Sequence, residues 1–180
     1  MSDADLILPG FYGKLPAAGD FVTRRLPHDF VLSWDRWLAQ HLAPLIGPDH
    51  WDYHTPLRFL SGPASFGPAA GVVAASHDRV GRRFPLSIVA VLPEARSNLA
   101  NRNDWFASLE AAAQAAQDGL PPDELDARLA ELGIAVGTGD ESDPIDAMTV
   151  WTRRSDLYDL DPADPRPTLH QLLAQNVETS

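Results

Sequence analysis

A chain of 180 residues without a cysteine has room for one domain with a substantial core, and no route to disulfides, thiolate nucleophiles or cysteine-ligated metals. Its net charge of −11 is unevenly placed, because residues 1–100 carry nine basic and nine acidic side chains and residues 101–180 carry five and sixteen. The acidic half disfavours nucleic acid and anionic membranes, and with neither a run of ~18 apolar residues for a membrane span nor a signal-peptide pattern, a cytoplasmic protein is expected.

In chain order, residues 6–16 read as an extended segment, Leu-Ile-Leu followed by Phe11 and Tyr12 between Gly10 and Gly13. The clearest helix spans 29–46. There Phe30, Trp34, Trp37, Leu38, His41, Leu42 and Leu45 recur at three- and four-residue spacing and form one broad apolar stripe. Pro44 is expected to shorten its last turn, and Gly47-Pro48 to end it. Strands follow at 57–61, 70–76 and 85–92, the last two apolar nearly throughout, as in strands buried on both faces. The polar segment 77–83 between them is a loop or hairpin connection. Asn103 is expected to cap a second helix running to about Asp118, and Pro121-Pro122 to start a third through Leu132. Brief strands are expected at 134–136 and 148–152, an acidic loop at 137–146, and a short C-terminal helix capped by Thr168. These elements predict an α/β fold: one domain over 1–180, a sandwich with a central, mostly antiparallel or mixed sheet covered by helices. Its second half, 101–180, is acidic and helical.

Chemistry was sought in four places. The glycines before Lys14 suggest a phosphate loop, but Leu15 stands where magnesium chemistry needs Ser or Thr, and the glycine spacing is wrong. Ser76, His77 and Asp78 hold the atoms of a hydrolase triad, yet neighbours in extended chain point to opposite faces and cannot converge. His50 and His54 have the offset of zinc ligands on a helix, but Trp51 replaces the general base, and Pro48 and Pro56 leave no room for the helix. Asp140, Glu141 and Asp143 lack the glycine turn and closing Glu of a calcium loop. No catalytic residue, metal or cofactor is therefore expected.

The polar residues that remain are Lys14, Asp20, Asp78, Arg79, Arg82 and Arg83, all in turns between apolar segments. One expectation is internal charge pairing, with Asp20 tying down the Arg-rich loop near Arg82. Another is a partly exposed basic loop, Arg79 to Arg83, that receives an acidic or phosphorylated partner. A third is a small ligand-binding or enzymatic domain with its polar site around Asp20, Asp78 and Arg82.

These segments resemble the TagF (ImpM) family of type VI secretion accessory proteins. The first block reads Gly10-Phe11-Tyr12-Gly13-Lys14-Leu15-Pro16, then Gly19-Asp20-Phe21-Val22, then Trp34-Asp35-Arg36-Trp37-Leu38. The second reads Ser76-His77-Asp78-Arg79-Val80-Gly81-Arg82 with Phe84-Pro85-Leu86. Order and spacing match over roughly residues 8–92, with His77 standing where an apolar residue is expected. The resemblance implies a non-enzymatic cytoplasmic regulator that acts after translation, typically repressing assembly or firing. It implies partners among type VI secretion components, with a forkhead-associated-domain scaffold as one candidate, and a link to threonine phosphorylation. Some relatives carry a fused phosphatase domain, and none is expected within these 180 residues.

Overall fold

The computed structural model describes residues 6–136 and 142–177. Strand β1 (Leu6–Ile7) pairs with β7 (Ile134–Ala135) as a separate two-stranded ribbon. The main sheet has seven strands: β2 (Gly10–Gly13), β3 (Val22–Arg24), β4 (Leu57–Ser61), β5 (Ala69–Ala74), β6 (Leu86–Val91), β8 (Met148–Trp151) and β9 (Tyr158–Leu160). Their spatial order is β3-β2-β6-β5-β4-β8-β9, and every neighbouring pair is antiparallel.

Side chains alternate along each strand and feed two cores. On one face Phe11, Leu60, Val72 and Ile88 meet Phe106, Leu109 and Ala113 of α2 (Asn103–Gln117) and Leu125 and Leu129 of α3 (Pro122–Leu129). On the other, Tyr12, Phe59, Val73 and Val89 meet Phe30, Trp34 and Trp37 of α1 (His28–His41) and Leu169 and Leu172 of α4 (Arg166–Val177). Helices thus cover both faces of one antiparallel sheet, which is the α/β sandwich expected. Trp34, with no exposed area, anchors the second core. Its ring lies 4.9 Å from Phe59 and from Phe66, and its Nε1 donates to Ser87 Oγ at 2.8 Å.

Several boundaries shift for visible reasons. Helix α1 stops at His41, and the chain through Pro44 continues as a 3-10 turn, since proline removes an α-helical donor. Asn103 does not cap α2; its Oδ1 accepts from Arg58 Nη1 at 3.3 Å, and Arg102 precedes the helix without a side-chain cap. Thr168 lies inside α4, where its hydroxyl reaches the Asp159 carbonyl at 3.5 Å, so it is not a cap either. The expected acidic loop falls partly on 137–141, outside the described residues, as do Asp140 and Glu141.

Two charge pairings were not foreseen. Arg24 and Arg25 pair with Asp123 and Asp126 of α3 at 3.2 and 2.6 Å, so part of the acidic half is spent on holding that helix to the sheet edge. Arg25 takes a positive φ of 62° there, an uncommon backbone state for a side chain of its size. Within the first core Arg58 Nη2 lies 2.6 Å from Glu110 Oε1, the two side chains 5% and 8% exposed.

Candidate functional site

One end of the sheet gathers the turn after β2, the β5–β6 connection and the chain entering β4. Segment 77–83 forms a hairpin: Asp78 N–H donates to Arg82 O at 3.0 Å, and Gly81 N–H to Asp78 O at 3.0 Å. Gly81 has φ 89°, the left-handed state that lets the turn close. The β2 turn packs against it, because Gly13 brings its backbone onto Pro85: an added Cβ there would meet Pro85 O at 2.1 Å.

Asp78 ties this end together from a side chain with no exposed area. Its Oδ1 accepts the backbone N–H of Val80 at 3.0 Å and of Arg82 at 2.9 Å. Its Oδ2 accepts from Arg82 Nε at 2.7 Å and lies 3.3 Å from Lys14 Nζ. Burial alone would push this carboxyl up. The Arg82 N–H and guanidinium, the Lys14 ammonium and the Val80 N–H outweigh it and hold the carboxyl well below the usual carboxylate range.

Asp78 is therefore an ionised strut at any physiological pH. Lys14, nearly buried, also sits 4.8 Å from the centre of the Phe21 ring.

Four of the six expected residues act here as partners or as anchored cations in one hairpin: Lys14, Asp78, Arg82 and Arg79. Arg79 Nη2 donates to Ala17 O at 2.7 Å, and Arg82 Nη2 to Gly19 O at 2.9 Å. Arg83 turns the other way, donating to Ile46 O at 3.0 Å. Asp20 does not join them. It is exposed and its Oδ1 accepts its own neighbour's N–H, Phe21, at 2.7 Å. The acid that ties down Arg82 is Asp78, four residues away within the hairpin; the carbonyl of Gly19, and not the carboxylate of Asp20, completes the contact. A three-residue site of Asp20, Asp78 and Arg82 is accordingly not assembled.

The rejected constellations have structural roles. Ser76 Oγ donates to the Lys14 carbonyl at 2.7 Å, and the His77 ring lies edge-on to Tyr53 at 5.8 Å with Nδ1 2.8 Å from Asp78 O. His50 and His54 lie in turns, where the Asp52 carboxylate accepts the His54 N–H at 2.8 Å. Beside this end a cleft of about 290 Å³ opens between α2 and the chain at 53–56, with Glu110, Gln114, Gln117 and Arg153 on its walls. None of the six expected residues lines it.

Sequence reasoning missed Arg58–Glu110 and Tyr12–Asp35. The Tyr12 hydroxyl donates to Asp35 Oδ1 across the first block of the sequence pattern. Burial first, then Asp35 as acceptor and as charge, pushes the Tyr12 phenol above its ordinary value. A signal for Arg58–Glu110 existed: one Arg inside the apolar run 57–61 and one Glu on the apolar stripe of α2.

The fold and this charge-tied hairpin define an α/β sandwich with a structural polar cluster at one sheet end. The model of the TagF N-terminal domain family, type VI secretion system-associated, matches residues 10–132, and the chain belongs to that family. Among solved structures it is similar to the crystal structure of PA0076 from Pseudomonas aeruginosa PAO1, at 28% identity and a TM-score of 0.71. That likeness covers 92% of this chain and 93% of the other. No curated protein matches by sequence. Among the described residues no helix is long and apolar enough to cross a membrane.

Proposed function

We propose that this chain is a cytoplasmic accessory regulator of a bacterial type VI secretion system, acting after translation as a repressor by binding a scaffold or apparatus component. The observation that carries the reading is the state of Asp78. A buried carboxylate that accepts two backbone N–H groups and contacts two cations has no lone pair left for a substrate proton. Its cluster serves as a strut that stiffens a protruding hairpin, which suits a protein-recognition element better than a reaction centre. Family membership supplies the secretion context, and a scaffold with a forkhead-associated domain is the first partner to test. The test is affinity capture with the tagged chain from a bacterium carrying the secretion genes, with recovery of a scaffold, sheath or baseplate component expected. Recovery of none of these, together with unchanged secretion on deletion, would contradict the reading.

A further inference from the structure

The hairpin end carries charge that its internal pairing leaves over. Arg79, Arg82 and Arg83 each spend one guanidinium nitrogen on a backbone carbonyl, of Ala17, Gly19 and Ile46 respectively. A carbonyl fixes a guanidinium without neutralising it, so the orientation is set while the charge remains. Among the described residues neither Arg79 nor Arg83 has a carboxylate within ion-pair distance. Arg82 stays 62% exposed although its Nε rests on Asp78. With Lys14, four cations stand here against Asp78 and Asp20, on a protein whose net charge is −11.

The same end presents apolar surface. Val80, in the hairpin turn, is 72% exposed and Phe21 is 44% exposed. The Phe21 ring is held in place: it stacks on Tyr12 at 5.8 Å and meets the edge of Phe84 at 4.9 Å. An exposed aromatic already fixed by its neighbours loses little conformational freedom when a partner covers it.

We propose that Phe21 and Val80, flanked by Arg79, Arg82 and Arg83, form the docking surface for an acidic, unphosphorylated segment of a partner protein that carries an apolar side chain among its Asp and Glu residues. The inference rests on the regulator reading above and names its surface. Charge complementarity selects the partner: a positive end on a strongly negative body orients encounter with an acidic stretch and repels it elsewhere. The arrangement favours spaced carboxylates over one phosphate. Arg79 and Arg82 are fixed to the loop at 17–19 and Arg83 to the carbonyl at 46, so their charge is spread along an edge. The Asp20 carboxylate beside Gly19 further opposes a dianion there.

The test is photo-crosslinking in the bacterium that carries the secretion genes, using the full chain with a benzoyl-phenylalanine at position 21 or 80. Controls carry it at Leu32 and Leu157, which are exposed to a similar degree on other surfaces. Adducts from 21 and 80 should map to an Asp/Glu-rich, unmodified peptide of a secretion component. The double substitution Arg79→Glu, Arg83→Glu should lower their yield at least tenfold while circular dichroism and melting temperature stay as in the parent. Adducts to a secretion component from Leu32 or Leu157 alone would overturn this surface while sparing the regulator reading. Adducts from 21 and 80 to phosphorylated peptides, or to the acidic half of a second copy, would overturn the choice of partner. No adduct above background at 21 and 80 overturns the surface, and secretion on deletion then decides separately whether the regulator reading stands.

Discussion

Breaking the buried Arg58–Glu110 pair should cost far more than removing it whole. Glu110→Ala leaves the guanidinium of Arg58, 5% exposed, with a single remaining side-chain acceptor, Asn103 Oδ1 at 3.3 Å. Stripping one partner from a buried pair costs about 3–5 kcal/mol. For a domain of this size that corresponds to a fall in melting temperature of roughly 6–20 °C. The double replacement Arg58→Met, Glu110→Leu behaves differently. In the native pair only one contact is close, and both Arg58 Nε and Glu110 Oε2 lack a hydrogen-bond partner, so the desolvation of two charges is incompletely offset. The double variant should therefore recover at least half of the single variant's loss, with a coupling energy of about 2 kcal/mol or more. Urea melts of the two singles and the double complete the cycle. Losses below about 1 kcal/mol in both singles, or a double variant as destabilised as their sum, would refute the reasoning.

Asp78 gives an acid signature. Its carboxyl is depressed in the fold relative to an unfolded value of 3.8, so the stability it contributes is present above that value and drains away as pH falls below about 4. Melting temperature should drop more steeply from pH 5 to 2 in the parent than in Asp78→Asn, and parallel curves would contradict the strut. Tyr12 gives the opposite limb: its phenol is raised, so stability is present below its unfolded value near 10 and lost as pH climbs beyond it. Tyrosinate absorbance in native Tyr12→Phe should match the parent through pH 10.5, whereas a missing step near pH 10 would show that Tyr12 titrates normally. Gly13→Ala should not yield soluble folded protein, because φ of 142° and a carbonyl 2.1 Å from the new Cβ leave it no space; a folded variant with an unchanged spectrum would count against that packing.

The central elements were legible because their physics is local. The stripe from Phe30 to Leu42 fixed α1 by periodicity alone, and the all-apolar runs at 70–76 and 85–92 declared strands buried on both faces, which β5 and β6 are. Edge strands were not legible. β3 and β9 are three residues each, mixing polar with apolar, and their assignment comes from pairing with β2 and β8. The polar cluster was found in membership and mis-wired in detail. Proximity in a turn suggested Asp20 as the acid for Arg82, whereas a hairpin closed at Gly81 folds Asp78 back onto the N–H groups two and four residues ahead. Such wiring depends on φ at one glycine. Similarly, Arg24 and Arg25 find Asp123 and Asp126 about a hundred residues away, a pairing that only the docking of α3 on the sheet creates.

The account's central claim is regulation of secretion through the hairpin end. Its most direct measurement is the amount of a type VI effector in the culture supernatant of a deletion strain, complemented with the parent chain or with Arg79→Glu, Arg83→Glu at equal protein level. The account predicts raised secretion on deletion, restoration of the low level by the parent chain, and no restoration by the charge-reversed chain. Secretion unchanged by deletion, or full repression by the charge-reversed chain, would contradict it.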